Sequence, residues 1–149
     1  MKHLFSARHF HSAALLATNL LYLVVWGFAS LTKLRDGVPT WFGDKFGSTF
    51  LATFPGLTGT FWVLTFSELL AFLLAAVALL RLEFLRKREL RWLPAMLVWS
   101  LFVFVQLGFG QWLTNEFNGA FQQFMYFAST LLALHFLLGL IDLPGPQES

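Results

Sequence analysis

Four long apolar runs alternate with short polar segments along this chain of 149 residues. Each run is long enough to cross a bilayer, because a spanning helix needs about 20 mostly apolar residues. The pattern therefore predicts an all-α integral membrane protein, a four-helix bundle that forms one domain over residues 1–149. The predicted spans are residues 13–32, 58–80, 92–113 and 117–141.

The connection between the first two spans carries a pattern of its own. Phe42, Phe46, Phe50 and Phe54 recur at steps of four, and the polar residues between them lie largely on other sides. This spacing predicts a short amphipathic helix in the membrane interface over residues 39–54. Such a segment covers one end of the bundle. It either anchors in the lipid headgroups or gates the access of lipid or quinone.

Composition supports a membrane location and excludes several classes of chemistry. The chain is 57% hydrophobic and 12% charged, about half the charged fraction of a soluble domain. It contains no cysteine, which excludes disulfide exchange, thiolate metal sites and iron–sulfur clusters. The net charge of +2 comes from Lys and Arg near helix ends, a placement that argues against a nucleic-acid partner.

The positive residues also predict an orientation in the membrane. Seven of the ten Lys and Arg residues lie in the N-terminal lead and in the loop at residues 81–91. Cytoplasmic loops carry the excess of positive charge, so both termini and this loop are predicted to face the cytoplasm. The chain is accordingly expected to be a multi-pass protein of the cytoplasmic (inner) membrane, with residues 39–54 on the opposite side.

One carboxylate, Glu68, lies near the middle of the second predicted span. An acidic group at this depth costs about 2.5 to 3.5 kcal/mol on insertion scales, so it is expected to face protein or water. Ala71, Ala75 and Ala78 follow Glu68 at helical spacing and so lie on the same face. These small residues let another helix approach closely. The side of the helix that carries Glu68 is therefore predicted to be its packing face.

A polar stripe on the first span points to a partner for this carboxylate. Asn19, Tyr22, Trp26, Ser30 and Lys33 recur at steps of three and four. We expect Lys33 and Glu68 to approach each other directly or through water or a ligand headgroup. Two alternatives remain open: a protonated Glu68 that only hydrogen-bonds between helices, and a lysine that extends to the interface. The residues expected to complete this polar cluster are Asn19, Tyr22 and Gln106.

Histidine raises the question of a bound cofactor. His135 lies within the last predicted span, and His11 lies at the entrance of the first. A pair of histidines on facing helices can ligate haem, although a membrane histidine more commonly hydrogen-bonds or handles protons. His3 and His9 are close to His11 in sequence, but they lack the fourth ligand and rigid frame of a metal site, so no metal is predicted.

The order of several short motifs resembles the DoxX family of four-helix membrane proteins. The first span closes on Ser30-Leu-Thr-Lys33, an aromatic loop follows, the second span contains Ser67-Glu68-Leu-Leu, and the last ends Gly139-Leu-Ile-Asp142. The resemblance implies a small membrane subunit linked to oxidoreductases, such as thiosulfate:quinone oxidoreductase and terminal quinol oxidase assemblies. Lys33 and Glu68 are the polar positions that match the family pattern.

Three functions are consistent with these observations. The first is a non-catalytic, DoxX-like subunit or assembly partner of a quinone-linked oxidoreductase complex, with membrane lipid and redox subunits as partners and quinone or lipid as ligand. An apolar, Phe-rich flank of the bundle would contact those subunits. The second is a small proton-coupled transporter centred on Glu68. The third is an independent enzyme that reacts with quinone.

Overall fold

The computed structural model describes residues 7–85 and 89–141, and the secondary structure in these ranges is entirely helical. Four of the helices are long and apolar enough to cross a membrane. The predicted all-α membrane bundle is therefore confirmed, and the protein is a multi-pass membrane protein. The elements are α1 (Ala7–Asp36), α2 (Thr40–Phe46), a 3-10 turn (Phe50–Ala52), α3 (Leu57–Leu80), α4 (Trp92–Leu113) and α5 (Phe117–Ile141).

The observed bounds match the last three predicted spans to within one residue, whereas α1 is longer than predicted. α1 extends past its apolar run at both ends, because a helix can continue into water after the hydrocarbon ends. It stops at Gly37, whose φ of +71° suits glycine and whose N–H donates to Lys33 O at 2.9 Å. His3, Asp142 and residues 86–88 of the positively charged loop, which the sequence predictions used, lie outside the described residues.

The bundle is built from three successive helix pairs: α1 with α3, α3 with α4, and α4 with α5. Small residues let α1 and α3 approach closely. Ala71, Ala75 and Ala78 of α3 are fully buried, and a Cβ at Gly27 of α1 would lie 3.1 Å from the Phe72 ring. The face that carries Glu68 is thus the packing face, as its spacing predicted.

Side-chain hydrogen bonds tie α1 to each of the other spans, so its predicted polar stripe faces inward. In hydrocarbon such bonds contribute about 0.6 kcal/mol each, and they also fix the rotation of a helix about its axis. The Asn19 amide lies 3.0 Å from Ala75 O and 3.2 Å from Leu79 N on α3, Trp26 Nε1 donates to Ser100 Oγ on α4 at 2.9 Å, and the Tyr22 hydroxyl lies 2.5 Å from Thr130 Oγ1 on α5.

Residues 39–54, which we call the lid, contain the predicted short helix as α2, but this helix covers only the first part of the segment that the phenylalanine spacing predicted. α2 ends at Phe46 with Gly47 as its C-cap, Thr49 adopts an extended conformation, and a separate 3-10 turn follows. The Thr49 hydroxyl donates to Phe46 O at 2.7 Å, which offers that carbonyl a partner outside a continuing helix. Phe42 and Phe46 consequently face the core, while Phe50 and Phe54 are exposed.

The buried side of the lid forms a small aromatic core with the start of α3. Phe42 packs edge-on against Phe61 with ring centroids 5.4 Å apart, and the Phe46 ring is tilted by 45° against Phe42 at 4.7 Å. Leu51 completes this cluster from the 3-10 turn. The lid is therefore held against the bundle at one end, which we call the lid end.

The opposite end, which we call the loop end, is organised by Glu83. α3 terminates in a Schellman arrangement in which Leu82 has a φ of +55° and Glu83 N donates to Ala78 O at 3.1 Å. The Glu83 side chain is buried and accepts hydrogen bonds from Trp92 N and Leu93 N at 2.8 to 3.0 Å. The Glu83 carboxylate therefore satisfies the free N–H groups at the start of α4, and its negative charge interacts favourably with the positive end of the α4 dipole.

A candidate binding cavity at the lid end

A cavity of about 380 Å³ lies between the lid and the ends of three spans. This volume lies within the range of small-molecule sites, which is roughly 300 to 1,000 Å³. Its wall is mostly aromatic and aliphatic, with a few polar groups. The lining residues are Lys33 from α1, Trp41, Phe42, Lys45, Phe46, Leu51 and Pro55 from the lid and its end, Thr60, Phe61, Val63 and Leu64 from α3, and Gln106, Leu107, Phe109, Gly110 and Gln111 from α4.

Lys33 meets Glu68 beside this cavity. Lys33 Nζ lies 2.5 Å from Oε1 and 2.6 Å from Oε2 of the carboxylate, the geometry of a bridging ion pair. The direct approach of these two groups, expected from the sequence, is present in the structure. The Glu68 side chain is 2% exposed and the Lys33 side chain 26% exposed. The pair is therefore reachable only from the lysine side.

This arrangement leaves hydrogen-bonding capacity on the ammonium group. A lysine ammonium has three N–H donors, and two of them are directed at the Glu68 oxygens. Because Lys33 also lines the cavity, a ligand there can accept a bond from the remaining N–H. The buried carboxylate compensates the lysine charge, so the bundle holds a donor in an apolar region without an unmatched charge.

A second lysine reaches the cavity from the lid. Lys45 Nζ donates to Gln111 Oε1 of α4 at 3.1 Å and lies 5.9 Å from the Phe46 ring centroid. This bond joins the lid to α4 across the cavity wall. Gln106, five residues earlier on α4, lines the same cavity. Two lysines and two glutamine amides thus supply the main polar groups of a largely apolar site.

The predicted cluster of five polar residues is divided in the structure. Gln106 lines the same cavity as Lys33, whereas the described partners of Asn19 and Tyr22 lie on α3 and α5. Asn19 and Tyr22 are 14 and 11 positions before Lys33, or about 21 and 16 Å along α1. A stripe on one helix face keeps a common direction but spreads along the axis, so Asn19 and Tyr22 find their partners nearer the loop end.

The two histidines considered for haem do not line the cavity. The His11 ring packs near Phe136, with centroids 6.1 Å apart, and the His135 side chain is exposed on α5. His135 therefore points away from the bundle interior, which is where a haem between facing helices would have to lie. The structure offers no support for that pair as axial ligands.

Sequence reasoning missed Lys45, Gln111 and Trp41 as members of the site. Their positions depend on how the lid folds back against the bundle. The phenylalanine spacing had predicted the lid as one continuous helix. A usable signal was present in α4, where Gln106 and Gln111 both interrupt an apolar run near its end. A polar residue at membrane depth favours a position that faces protein or a cavity.

Comparison with protein-family models, with curated proteins and with solved structures finds no match to this chain. The function must therefore be inferred from the residues that form the cavity.

Proposed function

We propose that this protein is a DoxX-like membrane subunit of a quinone-linked oxidoreductase complex and that its lid cavity binds the quinone headgroup. The observation that carries the proposal is the cavity itself, in which Lys33 and Lys45 supply N–H donors within aromatic walls. A quinone headgroup presents the matching chemistry, because it is a flat apolar ring with two carbonyl acceptors. When bound, it supplies two-electron redox chemistry that none of the side chains in this cavity provides.

The residues of the cavity have separable roles in this proposal. Lys33, positioned by Glu68, donates a hydrogen bond to one carbonyl oxygen. Lys45, positioned by Gln111, is the donor that the lid contributes. Phe42, Phe61 and their neighbours exclude water and contact the ring, which strengthens both hydrogen bonds by lowering the local dielectric.

The surface of the bundle supports the proposal that this chain is a subunit of a complex. Large phenylalanines are exposed on every span, among them Phe28, Phe66, Phe102 and Phe124. These side chains suit lipid and also the apolar faces of neighbouring membrane subunits. In the proposed orientation the termini and residues 81–91 face the cytoplasm of the inner membrane and the lid faces outward, as the distribution of Lys and Arg favours. Impermeant labelling of single cysteines at positions 44 and 86 distinguishes the two sides.

Quinone titration tests the cavity directly, because Trp41 lines it and a bound quinone quenches indole fluorescence. A short-chain ubiquinone analogue should quench the purified protein, and Trp41→Phe should lose most of that signal. The matched control is Trp112→Phe, since Trp112 is exposed at the same end of α4 and does not line the cavity. Lys45→Met should weaken binding by about tenfold, the worth of one hydrogen bond to a charged donor.

Equal quenching of the Trp41→Phe and Trp112→Phe variants, with unchanged affinity in Lys45→Met, would exclude the cavity as the quinone site. The subunit proposal is tested separately by purification in mild detergent, in which a stoichiometric redox protein should remain bound.

A second candidate, a proton-coupled transporter, is favoured by one observation: Glu68 is a buried carboxylate in the middle of a span, and its partner Lys33 lines a cavity. It predicts solute-dependent proton flux in vesicles that contain this chain alone. A Glu68→Gln variant would abolish that flux. If no flux is measured and a redox protein co-purifies, the transporter is excluded and the subunit proposal is supported.

A further inference from the structure

The loop end carries positive charges that no described side chain neutralises. Residues 81–91, between α3 and α4, contain five Arg or Lys residues against two Glu. Arg81 follows the last residue of α3, Arg91 precedes the first residue of α4, and both are exposed. Within the described residues neither arginine forms an ion pair. Their charges are therefore open to a partner outside the described chain.

Glu83, one of the two carboxylates in this loop, does not neutralise these arginines. It is buried, and its oxygens accept hydrogen bonds from Trp92 N and Leu93 N. The positive end of the α4 dipole, rather than an arginine, thus opposes its charge. The other carboxylate, Glu89, is exposed. The loop consequently has five positive residues and one carboxylate that is not already bonded within the bundle.

Apolar residues in and beside this loop hold it against the bundle. Phe84, Leu90 and Trp92 are partly buried and pack against the main hydrophobic core. Phe84 lies before residues 86–88 and Leu90 lies after them, so the chain is anchored on both sides. The two arginines at the ends of the loop are therefore attached to packed backbone.

Exposed leucines accompany these arginines at the end of the span. Leu80 is 82% exposed, and Leu82 and Leu85 are 41% and 42% exposed. Leu80 is the last residue of α3, so these side chains lie where the apolar span meets the polar loop. Apolar and cationic side chains at one level suit a phospholipid, whose acyl chains and phosphate lie at adjacent depths. A soluble acidic protein or a free anion would match the charges but not the leucines.

The charges of the loop end select an anionic headgroup. A guanidinium group donates paired hydrogen bonds to phosphate oxygens. A cluster of roughly four to eight Lys or Arg residues beside a membrane span is typical of proteins that bind anionic lipid. We propose that the loop end binds an anionic phospholipid, with Arg81 and Arg91 at its phosphate and the exposed leucines at its acyl chains. This site lies at the opposite end of the bundle from the lid cavity and does not depend on the function proposed for that cavity.

Quenching by labelled lipids tests the site, because a chain without cysteine accepts a single reporter. Leu85→Cys, labelled with bimane, is placed in phosphatidylcholine vesicles with a small fraction of phosphatidylglycerol or phosphatidylcholine that carries a nitroxide near the headgroup. The association constant of phosphatidylglycerol should exceed that of phosphatidylcholine by at least about fivefold, the worth of one cation at the surface. Phe117→Cys is the matched control, since Phe117 is exposed at the lid end and should show no preference.

Charge variants locate the preference on the loop. Arg81→Gln should lower the preference measured at position 85 by about fivefold. Arg35→Gln is the matched control and should leave it unchanged, because Arg35 is exposed at the lid end and paired with Asp36 at 2.7 Å. The preference should also fall in molar salt, which screens exposed charges beyond about 3 Å.

Three results would each overturn the proposal. The first is equal quenching by the two lipids at position 85. The second is a preference that survives the double variant Arg81→Gln with Arg91→Gln. The third is displacement of the labelled phosphatidylglycerol by millimolar inorganic phosphate, which would show a site for free anions rather than for lipid.

Discussion

Among the described residues two glutamates are buried, one toward the lid end and one at the loop end, and their partners differ. Glu83 is 2% exposed and all of its described hydrogen bonds come from backbone N–H groups, Trp92 N and Leu93 N. Glu68 is buried to a similar degree but is paired with the Lys33 side chain, which borders a cavity. A backbone donor cannot move without unwinding α4, whereas a lysine can change rotamer.

The comparison separates a structural carboxylate from a functional candidate. The Glu83 interactions begin a helix and connect α3 to α4, so they explain its burial completely. The interactions of Glu68 position a donor toward a cavity, beyond what packing of α1 on α3 requires. Burial of a charged group is therefore informative about function only when its partner also contacts a space that a ligand can enter.

The largest expected effect is the loss of Lys33. Lys33→Met leaves the Glu68 charge buried without a partner, and removal of one member of a buried pair costs about 3 to 5 kcal/mol of stability. The double variant Lys33→Met with Glu68→Gln should recover most of this loss, because the unmatched charge is gone. Thermal unfolding in detergent measures both. Additive losses in the cycle would show that the contact is not energetically coupled.

Removal of the Glu83 carboxylate should have the next largest effect. Glu83→Ala leaves the Trp92 and Leu93 amides unsatisfied and removes a charge from the start of α4, a loss of about 2 to 3 kcal/mol. Glu83→Gln keeps an acceptor and should lose about half as much. Quinone quenching of Trp41 should be unchanged in the folded Glu83 variants. A change in quinone affinity in a Glu83 variant would show that the loop end is not independent of the cavity at the lid end.

The smallest effects concern how the helices terminate at each end. Leu82 has a φ of +55°, a conformation that costs a residue with a Cβ about 1 kcal/mol, so Leu82→Gly should stabilise the loop end slightly. Gly37 occupies the equivalent position at the end of α1, with a φ of +71° and open space around it, so Gly37→Ala should destabilise by about 1 kcal/mol. Unfolding midpoints of the two variants should shift in opposite directions. Shifts of the same sign would show that backbone conformation does not dominate at these turns.

Patterns that repeat along one helix were predictable from the sequence, because the membrane imposes the length of a span and helical geometry imposes the direction of its faces. The four spans, the inward polar stripe of α1 and the alanine-rich face of α3 that carries Glu68 all follow from these constraints. The approach of Lys33 to Glu68 was also predictable, since an isolated carboxylate at that depth needs a partner and the stripe offered one lysine.

Features that depend on interactions between distant segments were decided only by the tertiary structure. The break in the lid at Gly47 determines which phenylalanines face the core. The phenylalanine spacing by itself predicts one continuous helix, so this break could not be read from it. Asn19 and Tyr22 share a face with Lys33 but pair at other depths, because depth depends on which residues of α3 and α5 lie opposite. Glu83 reads in the sequence as one charge in a polar loop, and it becomes a buried cap only because α3 and α4 bring their ends together.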